Sequence, residues 1–567
     1  MHHRLVCLLL IVMGNLSNVS AAPAESEQGM VASVHPLATR AGLAALRNGG
    51  NAVDAAVATA LTLGVVDGHN SGIGGGCFIL IRRPDGMFTA IDGRETAPAR
   101  AHRDMYLVDG QAHGELSTIG PLAVATPGAI AAYSRALRQH GRLKLADLLL
   151  PAADIAEHGF RLDRVFAGNL QAQAQVLARF DGSRQALLKP DGSPYREGEL
   201  LRLPDLAATY RALAVHGIDW FYRGEFASRV GQWMADHGGI LSAQDFANYV
   251  PVDRQPLVTK YRDCQVVGFP PPSSGGVHVA QILNILEHFD LTALHSQDPA
   301  AFVHVVAEAM KLAFADRAHW LGDPAFAQVP KGLIDPAYAA ELARRIDRER
   351  ATPVSRHGDP PRADADYFRG HTTHIAAADA EGWWVAITAT VNTSFGSKVI
   401  VPGTGVVLNN EMDDFSIQPS VPNAFGLVGA EANAIAPGKR PLSSMSPTIL
   451  LRDGRPFLTV GAAGGPTIIS QVVLAIVNHL DRGWPLDQAV AAPRFHHQWS
   501  PNALTIEPRL PAEVQRALAG RGHELRERDS MGVTQALTLT GTPLRFLGVH
   551  DPRVPGLAAG PTLTPAR

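Results

Sequence analysis

Two short apolar runs, 374 to 378 (His-Ile-Ala-Ala-Ala) and 383 to 389 (Trp-Trp-Val-Ala-Ile-Thr-Ala), flank the polar Asp379-Ala380-Glu381-Gly382. Strand-length apolar runs around an acidic turn closed by glycine predict a β-hairpin. With the turn centred near Glu381, antiparallel pairing sets Thr390 beside Thr372. Upstream, 36 to 63 predicts two helices: His35-Pro36 opens the first, and Gly49-Gly50-Asn51 stops it and caps the second. From about 120 to 345 the pattern is mainly helical, with Phe302, Val306, Ala309 and Ala313 on one face of a helix from Phe302 to His319. Pro270 to Gly276 (Pro-Pro-Pro-Ser-Ser-Gly-Gly) interrupts it as a rigid loop. After Thr372 strands and turns dominate, at 372 to 409, 447 to 460, 503 to 507 and 534 to 548, with a helix from about Thr467 to His479. Strands accompanied by helices from both halves predict an α+β layered sandwich.

Polar stretches divide the chain further. From Asp347 to His371 it is charged and proline-bearing, the composition of a surface linker, where backbone can be cut without dismantling a core. The glycine run Ser71 to Gly76 leads into an apolar strand from Cys77 to Ile81. It lacks the spacing of a nucleotide loop, so its glycines serve close backbone packing or approach by a ligand. At the start, His2-His3-Arg4, the apolar run Leu5 to Met13 and Val19-Ser20-Ala21-Ala22 predict a signal peptide over 1 to 21. The run is too short to span a bilayer, so the mature protein is expected to be exported without an anchor, into the periplasm of a Gram-negative host or otherwise secreted.

Charge narrows the partners. Against 53 acidic residues stand 50 basic ones, a net charge of -3 that gives no global field toward nucleic acid or anionic lipid, so a small molecule is the expected partner. Beyond the leader only Cys77 and Cys264 remain, and two buried thiols are expected in place of a disulfide framework.

The chemistry centres on Thr372. An internal hydroxyl is a poor nucleophile at neutral pH, but a threonine exposed as a new first residue carries its own base, an α-amine of pKa about 8. A second hydroxyl at Thr390 can relay a proton or orient that amine. The competing reading is that threonines simply favour strands.

Several separated segments carry a resemblance. They are Thr372-Thr373-His374, Asn392-Thr393-Ser394-Phe395-Gly396, the run from Leu408 to Phe415, the run from Lys439 to Thr448, Pro493 to Gln498, Asp92 to Pro98, the Pro-Pro-Ser-Ser-Gly-Gly loop and Asp316-Arg317. With them the chain resembles the gamma-glutamyltranspeptidases (glutathione hydrolases) of the N-terminal-nucleophile hydrolase superfamily, from about Val31 to Gly560. The resemblance implies a four-layer αββα sandwich and autocleavage between His371 and Thr372. A large subunit of 22 to 371, ending in the linker 347 to 371, would stay paired with a small catalytic subunit of 372 to 567. It also implies no cofactor and no metal. The donor is a γ-glutamyl compound such as glutathione, and the acceptor is water, an amino acid or a dipeptide.

Site roles follow from the same likeness. A γ-glutamyl donor presents a carboxylate, an ammonium and an amide, so its pocket needs a cation, an anion and an oxyanion hole. Arg94 resembles the carboxylate clamp, with Ser443 and Ser444 completing the grip. Asp414 resembles the holder of the ammonium, helped by Glu411 and Asn392. Gly464 and Gly465 resemble the pair whose N–H groups hold the oxyanion. Read singly, Arg94 suits a surface ion pair, Asp413-Asp414 a solvated turn and Ser443-Ser444 a helix cap. His496-His497 invites a metal, but neighbouring strand residues point to opposite faces. Two departures from the family pattern are Gly93, often phenylalanine, and Phe425, often tyrosine in the lid expected over 422 to 439. Two alternatives are a glutaryl (β-lactam side-chain) acylase of the same fold and a non-catalytic γ-glutamyl peptide binding protein.

Overall fold

Alternate residues of His374–Asp379 enter different cores: Ile375 and Ala377 pack toward helices, Ala376 and Ala378 toward a second sheet. A strand buried on both faces needs layers on both sides, and the computed structural model, which describes residues 23–361, 373–419 and 421–561, supplies them.

One antiparallel sheet runs in the order Leu557–Ala559, Gly29–Ser33, His374–Asp379, Trp384–Thr390, Gly76–Arg82, Phe88–Gly93 and Val252–Arg254. The other runs Ala24–Ser26, Arg545–His550, Val533–Thr540, Arg455–Ala463, Thr448–Arg452, Cys264–Gly268 and Leu257–Tyr261. Between them Met30, Phe78, Ala376, Trp384, Val267, Ile449 and Leu537 form an apolar seam. Phe78 and Phe269 stack across it at 4.1 Å between centroids, a contact worth about 1 kcal/mol beyond its buried area. Helices Pro36–Arg47, Ala52–Val66 and Ala129–His140 cover the first sheet, and Ser274–Leu286, Pro299–Trp320 and Thr467–Leu480 cover the second. This is the expected αββα sandwich, and each sheet interleaves strands from before and after position 372.

Local signals act as read. His35 caps the first helix by accepting from the Leu37 N–H, and Asn51 forms a reciprocal capping box with Asp54. The second helix runs on to Val66. Cys77 and Cys264 are free, buried thiols in different sheets.

Three expectations need correction. The mainly helical stretch contains the strands Val252–Arg254, Leu257–Tyr261 and Cys264–Gly268, which complete the ends of both sheets. The proline loop ends at Ser273, whose hydroxyl caps a helix that takes in Ser274, Gly275 and Gly276. The helix Pro299–Trp320 buries every residue from Ala300 to Arg317 instead of one face, because both Ser274–Leu286 and the C-terminal segments pack on it. Residues 347 to 361 form neither helix nor strand and are mostly exposed, as a linker should be. The leader, His371 and Thr372 lie outside the described residues.

Candidate active site

The hairpin register pairs His374 with Thr388 and Ala378 with Trp384, centring the turn at the expected place, and the Ala389 N–H donates to the Thr373 carbonyl at 2.6 Å. Thr390, the last residue of its strand, faces Gly76 on the other side. Its Oγ1 accepts from the Asn392 N–H at 2.6 Å, which leaves its own proton to donate elsewhere. Asn392 holds φ at 76°, a left-handed conformation that asparagine tolerates.

Close approach explains the glycine run. A Cβ on Gly75 would stand 1.8 Å from the Thr390 carbonyl oxygen, and one on Gly74 2.1 Å from that of Val407. The packing reading of these glycines therefore holds. Gly461 serves the other sheet in the same way, since its Cβ would meet His374 Nδ1 at 2.3 Å. That absence of a side chain lets the strand Arg455–Ala463, which ends just before Gly464 and Gly465, pass close beside His374. Both turn with positive φ, 138° and 63°.

Arg94 leaves the strand Phe88–Gly93 and is fully buried. Its Nη1 donates to Glu411 Oε2 at 2.5 Å and its Nη2 to Asp414 Oδ2 at 2.6 Å, while Glu95 stands at 3.4 Å and Nε reaches the Pro441 carbonyl. The surface reading of Arg94 and the solvated-turn reading of Asp413-Asp414 are both excluded by this burial. Burial raises the Glu95, Glu411 and Asp414 carboxyls above their ordinary range, and the Arg94 guanidinium pulls each back. For Arg94, burial acts to lower the pKa, but Glu411, Glu95 and Asp414 outweigh it and keep the guanidinium charged. Glu411 Oε1, Glu95 Oε1 and Asn392 Oδ1 are buried acceptors without a donor among the described residues. Gly93 gives its usual bulk to the helix Ala129–His140: a Cβ there would lie 2.5 Å from that of Ala132.

Ser443 and Ser444 are fully buried on the second sheet's side of the same site. The Ser443 carbonyl accepts from the Ser274 N–H at 2.9 Å and from its hydroxyl. Neither serine caps a helix.

Four participants carry no role in the sequence reading. Asp413 accepts from Ser117 Oγ at 2.8 Å and from the Ala424 N–H at 3.0 Å, with burial holding its carboxyl up at about 6. It thus fixes the base of the lid. Asn423 forms the lid turn by accepting from the Phe425 and Leu427 N–H groups at 3.0 and 3.1 Å. Gln498 then donates to the Gly426 carbonyl at 3.0 Å, and the Phe425 ring lies 2.8 Å from where a Gly465 Cβ would stand. Arg317 donates to Ser274 and Ser444. Its signal in the sequence is the Asp316-Arg317 pair of the resemblance, within a helix that also carries Glu308 and Lys311.

His496 bonds Ser470 Oγ at 2.5 Å, whereas His497 accepts from the Trp499 N–H at 3.1 Å, so the two rings serve different partners. His304, Glu308 and His523 bring one ligand atom each within 4.8 Å of one another. Those atoms are engaged: His304 Nδ1 bonds His523 Nε2 at 2.7 Å and Lys311 donates to Glu308 at 2.5 Å. An adjacent ammonium and two mutually bonded imidazoles make a poor cation site.

Residues 38–560 match the family model described as Gamma-glutamyltranspeptidase. The chain is 42% identical over 541 residues to the glutathione hydrolase proenzyme of Escherichia coli strain K12, covering 95% of this chain and 93% of that protein. It is 39% identical over 511 residues to the acylase ACY 1 proenzyme of Pseudomonas sp. strain SE83, covering 89% and 88%. Among solved structures it is similar to the cephalosporin acylase from Bacillus halodurans, with a TM-score of 0.86, 28% identity and coverage of 98% and 100%. With that fold, that span and those identities, the chain belongs to the gamma-glutamyltranspeptidase family.

Proposed function

We propose that the chain is an autoprocessing γ-glutamyltransferase and glutathione hydrolase whose nucleophile is Thr372. In maturation the Thr372 hydroxyl adds to the carbonyl carbon of His371, and the peptide nitrogen departs as the Thr372 amine, taking a proton. The resulting ester is hydrolysed by water, leaving a carboxylate on His371 and a free hydroxyl and amine on Thr372. The two fragments remain a heterodimer, because pulling them apart would strip paired strands from both sheets.

In turnover that amine takes the hydroxyl proton as the oxygen attacks the γ-carbonyl of the donor. The N–H groups of Gly464 and Gly465 stabilise the oxyanion, each such donor being worth about 3 kcal/mol in the transition state. The leaving amine takes the proton and a γ-glutamyl ester of Thr372 remains. Water releases glutamate from it, and an amino acid or dipeptide releases a transferred product. Thr390 orients the amine.

The observation that carries the donor assignment is the buried Arg94–Glu411–Asp414 cluster with its unmatched acceptor Glu411 Oε1. A γ-glutamyl head brings one carboxylate for the guanidinium and one ammonium for the acids, so each charge of the donor meets an opposite one. Mass spectrometry of the purified protein, followed by incubation with glutathione, tests this. Two fragments, the smaller beginning at Thr372, and free glutamate are expected; an uncut chain that releases none overturns it.

The acylases among its relatives favour a second reading, hydrolysis of glutaryl amides. Asp414 opposes it, because a glutaryl group has no amine for that carboxylate to hold. Export through the leader at 1 to 21 completes the proposal. Among the described residues no helix is long and apolar enough to cross a membrane.

A further inference from the structure

Two buried arginines serve this site, and they differ in what balances them. Arg94 has three carboxylates around it. Arg317, 4% exposed on the helix Pro299–Trp320, has no carboxylate within ion-pair distance among the described residues. Its Nε donates to Ser274 Oγ at 3.0 Å and its Nη2 to Ser444 Oγ at 3.3 Å. Burial lowers its pKa to about 10, with the charge of Asp414 acting the other way. A buried cation with no carboxylate at ion-pair distance is costly, and an incoming anion reduces that cost.

The serines it holds are poised for such an anion. Ser444 Oγ accepts from Arg317 and Ser443 Oγ accepts from the Met445 N–H at 3.5 Å, so both hydroxyls are occupied as acceptors. Neither hydroxyl proton has an acceptor among the described residues, and a hydroxyl whose lone pair is taken turns its proton away. Ser274, the other contact of Arg317, grips the Ser443 backbone. One guanidinium thus fixes the serine pair from two sides.

We propose that Arg317 is a positioning residue for donor recognition: it orients Ser443 and Ser444 and backs them with a positive charge that no carboxylate pairs directly among the described residues, so that the pocket selects an α-carboxylate. This rests on the γ-glutamyl reading above. Its effect is exerted through Ser444 and the local field, in which Asp414, the ion-pair partner of Arg94, also acts.

The test compares γ-glutamyl p-nitroanilide with the same compound carrying its α-carboxylate as a primary amide. For Arg317→Met, KM for the carboxylate donor is expected to rise about 10- to 100-fold, the range of a hydrogen bond to a charged group, with kcat within about 3-fold. The amide donor should change little, so the preference for a carboxylate collapses, and Arg317→Lys should recover part of it. An unmoved KM, or equal losses on both donors, overturns the inference. If Arg317→Met fails to mature, Arg317→Lys decides: a KM raised about 3- to 10-fold supports the inference and an unchanged KM overturns it. Failure of the unsubstituted enzyme to turn over the carboxylate donor overturns this inference and the γ-glutamyl reading together, whereas turnover with an indifferent position 317 overturns this inference alone.

Discussion

Arg94 Nη2 donates to Asp414 Oδ2 at 2.6 Å, joining residues 320 positions apart in one buried ion pair. The groups expected to hold the carboxylate and the ammonium of a donor are therefore already partners of each other. A zwitterionic head can enter by exchange, giving each protein charge a new partner as the old one is loosened. A donor with only one charge leaves the other protein group short of a partner, which is a physical basis for selecting α-amino acids.

Replacing the acid tests that basis. Asp414→Asn should lower kcat/KM for γ-glutamyl p-nitroanilide by about 100-fold or more, the scale of a lost buried charge pair, and change glutaryl p-nitroanilide by less than about 3-fold. Parallel kinetics on the two donors check it, and equal losses contradict the ammonium assignment.

Lid closure rests on Gly465 and Gln498. Gly465→Ala meets both a φ of 63° and the Phe425 ring at 2.8 Å, so the lid must lift. Strain of about 1 to 2 kcal/mol and a misplaced oxyanion donor should lower kcat at least about 10-fold without unfolding the protein. Faster proteolysis within 422 to 439 would report the opened lid. Gln498→Ala, which removes the donor to the Gly426 carbonyl, should speed that cleavage with a smaller loss of kcat.

Backbone contact at Gly75 positions Thr390. Gly75→Ala drives a Cβ toward the Thr390 carbonyl, and a loss of about 3 kcal/mol or more in stability is expected, with uncut precursor accumulating on a gel. Gly72→Ala is the control, because its Cβ would meet nothing nearer than 3.7 Å, and it should stay within about 0.5 kcal/mol of the parent.

Asp67 predicts a pH dependence. Burial holds its carboxyl up at about 8 from an ordinary 3.8, against hydrogen bonds from Asn70 and Thr373 that act to lower it. The folded state therefore keeps a proton that the unfolded state gives up near pH 4. This contribution is complete below the unfolded value and is lost as pH rises through about 8. Asp67→Asn lacks that loss. Its melting temperature relative to the parent should be higher at pH 8.5 than at pH 5.5, and a pH-independent difference contradicts the assignment.

What could be read from sequence was mostly local or chemical. The hairpin at Glu381, the Asn51 cap and the buried thiols each depend on a few neighbouring residues. Leu257–Tyr261 and Cys264–Gly268 are five-residue strands that pair with each other across Arg262-Asp263, a local hairpin hidden by the helical pattern on both sides, and only the pairing of Cys264–Gly268 with Thr448–Arg452 is distant in the chain. Gly275 and Gly276 read as loop residues. They sit in a helix capped by Ser273 and are glycine because the Met445 and Phe269 carbonyls approach to 2.4 and 2.1 Å of where their Cβ atoms would stand, which no local pattern reveals. Arg94, Asp414, Ser443, Ser444 and the glycine pair are proposed for the site from family motifs. The mutual pairing of Arg94 with Asp414, the hold of Ser117 on Asp413 and the contacts of Arg317 with Ser274 and Ser444 join residues between 43 and 320 positions apart, beyond the reach of any local pattern.

The most direct test is the protein with Thr372→Ala. Intact-mass measurement of that variant should give a single uncut chain with no γ-glutamyl turnover, while the parent gives two fragments, the smaller starting at Thr372. A Thr372→Ala chain that still cleaves glutathione contradicts the account.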